Sequence, residues 1–129
     1  AQIINRYLKP NGFFYMVEFH PFIYTLNDNS EIIDSYFKSK PLETVVENSY
    51  TDNSEVSKQN LKHVEWHHSL SEVLNSLISN ELKIEFLNEF PYQVYNCFPN
   101  LTEIEKGKWV SKEHGDKIPH MYSIKASKI

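Results

Sequence analysis

The sequence holds a single arginine, Arg6, a single cysteine, Cys97, and only three glycines, Gly12, Gly107 and Gly115. Each scarcity closes off a class of function. The chain has no arginine-rich face and its lysines are scattered, so it lacks a surface that neutralises a phosphate backbone, and nucleic acid is not an expected partner. A solitary cysteine makes no internal disulfide, and without companions it reads as a small buried side chain rather than a metal ligand. None of the glycines lies at the spacing of a phosphate-cradling or dinucleotide-binding loop. No apolar run approaches the roughly 20 residues that span a bilayer, and Ala1 to Pro10 lacks the basic-then-apolar layout of a secretion signal. The expected location is therefore cytoplasmic, with no membrane partner, and the Asn100-Leu101-Thr102 glycosylation pattern reads as coincidence.

What the chain does have is apolar material: 40% of its 129 residues, including eight Phe, eight Tyr and two Trp, with a modest net charge of −4. That composition excludes low-complexity disorder and favours one folded domain over residues 1–129. Residues 3 to 8 carry apolar side chains at i, i+1, i+4 and i+5, predicting the last turns of a helix that Pro10 stops. Asn11-Gly12 then supplies a left-handed turn into a strand. Phe13 to Phe19 is apolar on both alternating faces, the pattern of an interior strand of a parallel or mixed sheet. Glu18 and His20, two apart, share a face at its carboxyl end, the edge where open α/β sheets bind ligands.

Residues 26 to 62 are polar and mixed, and over 26–66 turn clusters flank the short β-prone pieces Thr44-Val45-Val46 and His63-Val64-Glu65-Trp66. Pieces this short bury no core of their own, so the segment reads as a lid or cap inserted in the domain. Ser69-Leu70-Ser71-Glu72 is a capping box, and Leu70, Val73, Leu74, Leu77 and Ile78 make an apolar stripe, predicting a helix over about 70–80. Leu82, Ile84 and Phe86 alternate in a further strand, and Met121 to Ala126 gives another. Residues 91 to 118 between them read as a long aromatic-rich connection with Tyr92, Tyr95, Phe98 and Trp109. No internal repeats are present.

The order and content of these pieces resemble the carboxyl-terminal half of a class I S-adenosylmethionine-dependent methyltransferase of the small-molecule type. The residues that carry the resemblance are Leu8-Lys9-Pro10-Asn11-Gly12, close to the Leu-Lys-Pro-Gly-Gly before strand five of that family, and Tyr15-Met16-Val17-Glu18-Phe19-His20-Pro21 as that strand. Trp66 to Ile78 resembles the lead-in and helix after the lid, Leu82 to Pro91 strand six, and Met121 to Lys128 the closing antiparallel strand. The chain departs from the family with Asn11 in place of a Gly, with Asn80-Glu81 where Ala-Gly is usual, and in lacking the glycine-rich loop and acidic residue that bind the cofactor. Asn tolerates positive φ, so the path is expected to survive.

The resemblance implies an α/β fold, a partial Rossmann-like methyltransferase fold of strands five to seven with the last strand antiparallel and a β-containing lid. It implies S-adenosylmethionine as cofactor of a full-length parent, with none expected on the isolated chain, and a small-molecule methyl acceptor. Glu18 and His20 are the candidate catalytic pair, one acting as general base and the other orienting it. The plainer reading of both is a polar strand end satisfied by loop backbone. Tyr24, Tyr50, Trp66, His67 and His68 are the candidate substrate-binding residues. Tyr24, Tyr36, Tyr50 and Trp109 read first as core or lid packing and second as a stack for an aromatic acceptor, His67 and His68 equally as backbone caps, and Glu43, Glu47 and Glu55 as a solvated lid face. Six histidines raise a metal site, but His67-His68 is not an i, i+4 zinc pair and no Cys or carboxylate motif completes it, so no metal is expected. The rival expectation is a stand-alone ligand-binding or dimerisation module. A sheet cut between strands four and five leaves a bare edge, so either the missing amino-terminal half or a second copy is the expected partner there.

Overall fold

A computed structural model of the chain describes residues 1–37, 40–46 and 61–129. Helix α1, Gln2–Tyr7, opens the chain. Asn11 then takes the left-handed conformation, with φ 61°. Gly12 serves a different need: a Cβ there would stand 2.8 Å from the Lys9 carbonyl oxygen, so only glycine lets the turn close against that backbone. Strand β1, Phe13–Phe19, follows, and a short 3-10 helix, Pro21–Thr25, comes immediately after it.

Strands β2, Leu42–Val46, and β3, Leu61–Glu65, pair antiparallel with Thr44 opposite His63. Helix α2, Leu70–Ile78, begins on the capping box read from the sequence: Ser69 Oγ accepts from the Glu72 backbone N–H and the Glu72 carboxylate accepts from that of Ser69. After β4, Leu82–Phe90, the segment 91–120 contains a two-stranded hairpin, β5, Leu101–Glu105, and β6, Lys108–Ser111. The sequence reading of this stretch as mere connection is therefore corrected. β5 sets Thr and Glu between its two apolar residues and buries little, and β6 is only four residues long, so neither carries a strong hydrophobic period. Gly107, at φ 76°, makes the turn. The last strand, β7, spans Met121–Lys128.

The main sheet has the order β1-β7-β4, with β7 antiparallel to both neighbours. It follows that β1 and β4 are parallel to each other although they never touch. Along one face the register aligns Phe14 with Ala126 and Ile84, and Met16 with Ile124 and Leu87. Leu77 from α2 packs against Leu82, Tyr122, Ile124 and Ala126 to complete a core in which Ile124 and Ala126 have no exposed area. A bulge at Glu85 shifts the β4 register between Ile84 and Phe86. It puts Leu87 on the core face and turns Phe86 to the other side, where strict alternation from Leu82 had assigned it to the core face.

Interior status for β1 is also corrected. Among the described residues it is hydrogen-bonded along one side only, to β7, and Phe13, Tyr15 and Val17 are half-exposed. An all-apolar strand reports that its faces are suited to burial; which neighbours cover them is not encoded in that pattern. Among the described residues no helix is long and apolar enough to cross a membrane.

Candidate functional site

The core face of the sheet changes character at its carboxyl end with respect to β1. Register places Glu18 of β1 and Glu89 of β4 on either side of Tyr122 of β7, so three polar side chains form a row beyond the Met16–Ile124–Leu87 layer. The 3-10 helix and the Trp66-His67-His68 lead-in close over this row. Between them lies an open groove of about 520 Å³, lined by Met16, Glu18, Phe19, Pro21, Tyr24, Val64, Glu65, Trp66, His67, His68, Val73 and Tyr122. Such a volume falls in the range that accommodates small molecules.

Tyr24 forms one wall. Its ring stacks on His67, with centroids 4.0 Å apart and planes at 24°, and meets Phe98 edge-on at 6.3 Å. His67 is fixed in turn by its Nε2, 3.0 Å from Glu65 Oε2, while the other oxygen of Glu65 lies 3.1 Å from His63 Nδ1. One carboxylate thus ties β3 to the segment after it. Burial, then the negative charges of Glu18 and Glu65, push the Tyr24 phenol up to about 12, so it remains a protonated hydrogen-bond donor. The Tyr122 phenol is raised for the same leading reason, burial, and also feels Glu18. Glu18 Oε1 accepts from the Phe19 backbone N–H at 3.1 Å, and the side chain is exposed to the groove.

The structure brings together five of the residues picked out from sequence: Glu18, Tyr24, Trp66, His67 and His68 all line the groove. Trp66 is 59% exposed, a rim rather than a floor. His68 Nδ1 is 3.7 Å from Glu72 of α2. His20 is placed otherwise. It lies just past β1 as the N-cap of the 3-10 helix, 4% exposed, with Nδ1 accepting from the Phe22 backbone N–H and Nε2 2.9 Å from Glu89 Oε1. Its ring lies between Tyr122, edge-on, and Tyr36, stacked. Burial lowers its pKa against the opposing pull of Glu89, so the ring is neutral, and with Nδ1 an acceptor, Nε2 carries the proton to Glu89. His20 shares the Glu18 face but does not line the groove, because Pro21 turns the chain and both nitrogens are used in building that turn.

Tyr36 accepts a hydrogen bond from the Leu70 N–H and so pins the segment before β2 to the start of α2. Trp109 pairs through its backbone with Gln93, away from the groove. Tyr50, Glu47 and Glu55 lie outside the described residues. Sequence reasoning missed Glu65 and Tyr122. A signal for Glu65 was present, since His63, Glu65 and His67 recur at the strand period of two; Tyr122 has none, because its place opposite Glu18 depends on pairing residues more than a hundred apart. Among the described residues no three His, Cys, Asp or Glu side chains converge so as to hold a metal ion.

No protein-family model matches the sequence, and no curated protein does so either. A solved structure does match in fold: a crystal structure described as "putative S-adenosylmethionine dependent methyltransferase from Listeria monocytogenes", 16% identical, with a TM-score of 0.54. The alignment covers 99% of this chain and 52% of that one, so the chain spans about half the length of the structure it matches. At this identity the likeness concerns the fold: a mixed α/β arrangement. The three glycines of the chain are not grouped in one loop. Gly107 and Gly115 sit in turns with nothing within 4 Å of a notional Cβ, and Gly12 is pressed against Lys9.

Proposed function

We propose that this chain is the acceptor-side, carboxyl-terminal portion of an S-adenosylmethionine-dependent methyltransferase that acts on a small molecule, with a partial Rossmann-like sheet and residues 26–66 as its lid. The observation that carries the reading is the placement of β7 between two strands that run parallel to each other, with a small-molecule-sized groove at the carboxyl end of the first of them. In the parent enzyme the methyl donor is held by polypeptide beyond the described residues, which also covers the bare edge of β1.

In this proposal each residue of the groove has a distinct task. Glu18 accepts the proton or hydrogen bond of the acceptor's reacting group, and the Tyr24 hydroxyl donates one to hold it in place. His67, fixed on Glu65 and stacked on Tyr24, keeps that hydroxyl aimed. Trp66 and His68 close the rim and exclude water. His20 supports the site by locking the turn that carries Tyr24. Positioning dominates in such transfers, so no nucleophile-base-acid triad is required.

The test is to incubate the full-length protein that carries this chain with labelled methyl donor and a broad panel of small hydroxyl, amine and thiol acceptors. Labelled small-molecule product that falls ~10²-fold or more on Glu18→Gln is the expected result; no product across the panel rejects the reading. A second reading, a binding module that dimerises along β1, is favoured by the half-exposed Phe13, Tyr15 and Val17 on an edge strand. Sedimentation of the isolated chain decides it: concentration-dependent dimer supports self-association, and a monomer at high concentration removes it.

A further inference from the structure

The groove has a marked charge. Two carboxylates, Glu18 and Glu65, line it, and among the described residues no Lys or Arg does. Aromatic rings stand beside both acids: Tyr24 stacks on His67, the partner of Glu65, and Phe19, Trp66 and Tyr122 line the same space. Both acids lie close enough to Tyr24 for their charge to raise its phenol, so the negative potential falls across the groove rather than at one rim. Carboxylates interleaved with the faces of aromatic rings attract a compact cation with an apolar body, through charge and through the ring quadrupole together. An anion in the same space meets two like charges, with only the imidazoles of His67 and His68 to offset them, and these already face Glu65 and Glu72.

We propose that the occupant of this groove is a small organic cation, a protonated primary or secondary amine carrying a flat apolar group. As the substrate of the transferase the inference rests on the reading above, while the selectivity for a cation stands on the groove alone. The ammonium lies between Glu18 and Glu65, and the apolar group lies along Tyr24 and Trp66 over the Met16–Val73 floor.

The experiment is calorimetric titration of the full-length protein near neutral pH with three probes of matched size: phenethylamine, its neutral isostere 2-phenylethanol, and the anion 3-phenylpropionate. The amine is expected to bind roughly tenfold or more tightly than the alcohol, and the acid more weakly than either. Glu18→Gln, at an exposed position, is expected to erase most of the amine's advantage, weakening the amine several-fold more than it weakens the alcohol. Tyr24→Phe, which keeps the ring and the stack, is expected to retain the order of the three probes. Equal affinities for amine and alcohol, a Glu18→Gln loss shared equally by both, or no binding of the amine overturns the proposal. A protein that methylates a neutral alcohol and shows no preference for amines keeps the transferase reading and loses this one. A protein that selects amines and transfers no methyl group does the reverse.

Discussion

The two ends of the β1-β7-β4 sheet are built on different physics. Under α2 the face is mostly dry: Leu77, Leu82, Ile124 and Ala126 pack through apolar side chains, with Asn5 of α1, which donates to the Asn80 carbonyl, as a polar exception, and the hydrophobic effect needs no particular geometry beyond close fit. At the opposite end, where residues 89–120 meet residues 20–30, the interior is polar. Gln93, with no exposed area, donates from Nε2 to the His120 carbonyl; His120 donates from Nε2 to the Gly115 carbonyl; Ser30 and Ser111 lie 3.4 Å apart at their hydroxyls. Gln93 Oε1 and His120 Nδ1 are both buried acceptors without a protein partner among the described residues. An apolar end tolerates small shifts, whereas a polar end depends on each hydrogen bond being made, and the candidate groove opens between the two.

This contrast makes quantitative demands. Ile124→Ala, which empties a site with no exposed area, is expected to cost about 2–5 kcal/mol in urea denaturation, the largest single loss in the chain. Gln93→Ala removes a donor from a buried carbonyl as well as an unpaired acceptor, and is expected to cost about 1–3 kcal/mol by the same measurement. If Gln93→Ala matches or exceeds Ile124→Ala, the polar end carries the fold and the distinction between the ends fails.

Acid is expected to strike the polar end first, above the range in which Glu85 of β4, held low by its hydrogen bond to Lys125, takes up its proton. Burial is the leading cause that lowers both His20 and His120 below their ordinary 6.5, so both are neutral when folded and take up protons on unfolding below that value. Their contribution is complete above about pH 6.5 and is lost as pH falls through the lowered values. Thermal melts between pH 7 and 4 are expected to show falling Tm over this window, with a shallower slope in His120→Gln. Equal slopes in the two proteins would remove His120 from the account.

Two smaller effects lie at the ends of the dry region. Ser69→Ala deletes the N-cap of α2 and is expected to cost about 1 kcal/mol. Glu81, at φ 59°, holds the left-handed turn between α2 and β4, so Glu81→Gly is expected to stabilise the chain by about 0.5–1 kcal/mol in the same denaturation series.

Most of the dry end was legible in the sequence. The stripe Leu70, Val73, Leu74 and Leu77 and the box Ser69–Glu72 are local patterns with a fixed period and stand as read, whereas Ile78, read into the same stripe, is 57% exposed at the end of the helix. The Asn80-Glu81 turn was anticipated, although Glu81 rather than Asn80 takes the positive φ. The Glu85 bulge was not, because one extra residue in a strand leaves no trace in composition and reverses the face of every side chain beyond it. In the candidate site, Glu18, Tyr24, Trp66, His67 and His68 were found because each belongs to a short segment with its own signature. His20 was assigned to the same pocket because alternation was extended one step past the strand, into the turn made by Pro21.

By itself, then, the sequence determined helix α2 and the strands β1, β4 and β7, and which polar residues end β1, since these follow from periodicity and from contacts within a few residues, whereas the β5-β6 hairpin carried no such signal. Only the tertiary structure decided that β7 runs between β1 and β4, that Tyr122 lies between Glu18 and Glu89, that Glu65 binds two histidines at the groove, and that His20 is consumed by the turn. Each of these is a long-range pairing or a choice between equivalent hydrogen-bond partners. Such choices are made by the packing of the whole chain, and no local pattern of side chains encodes them.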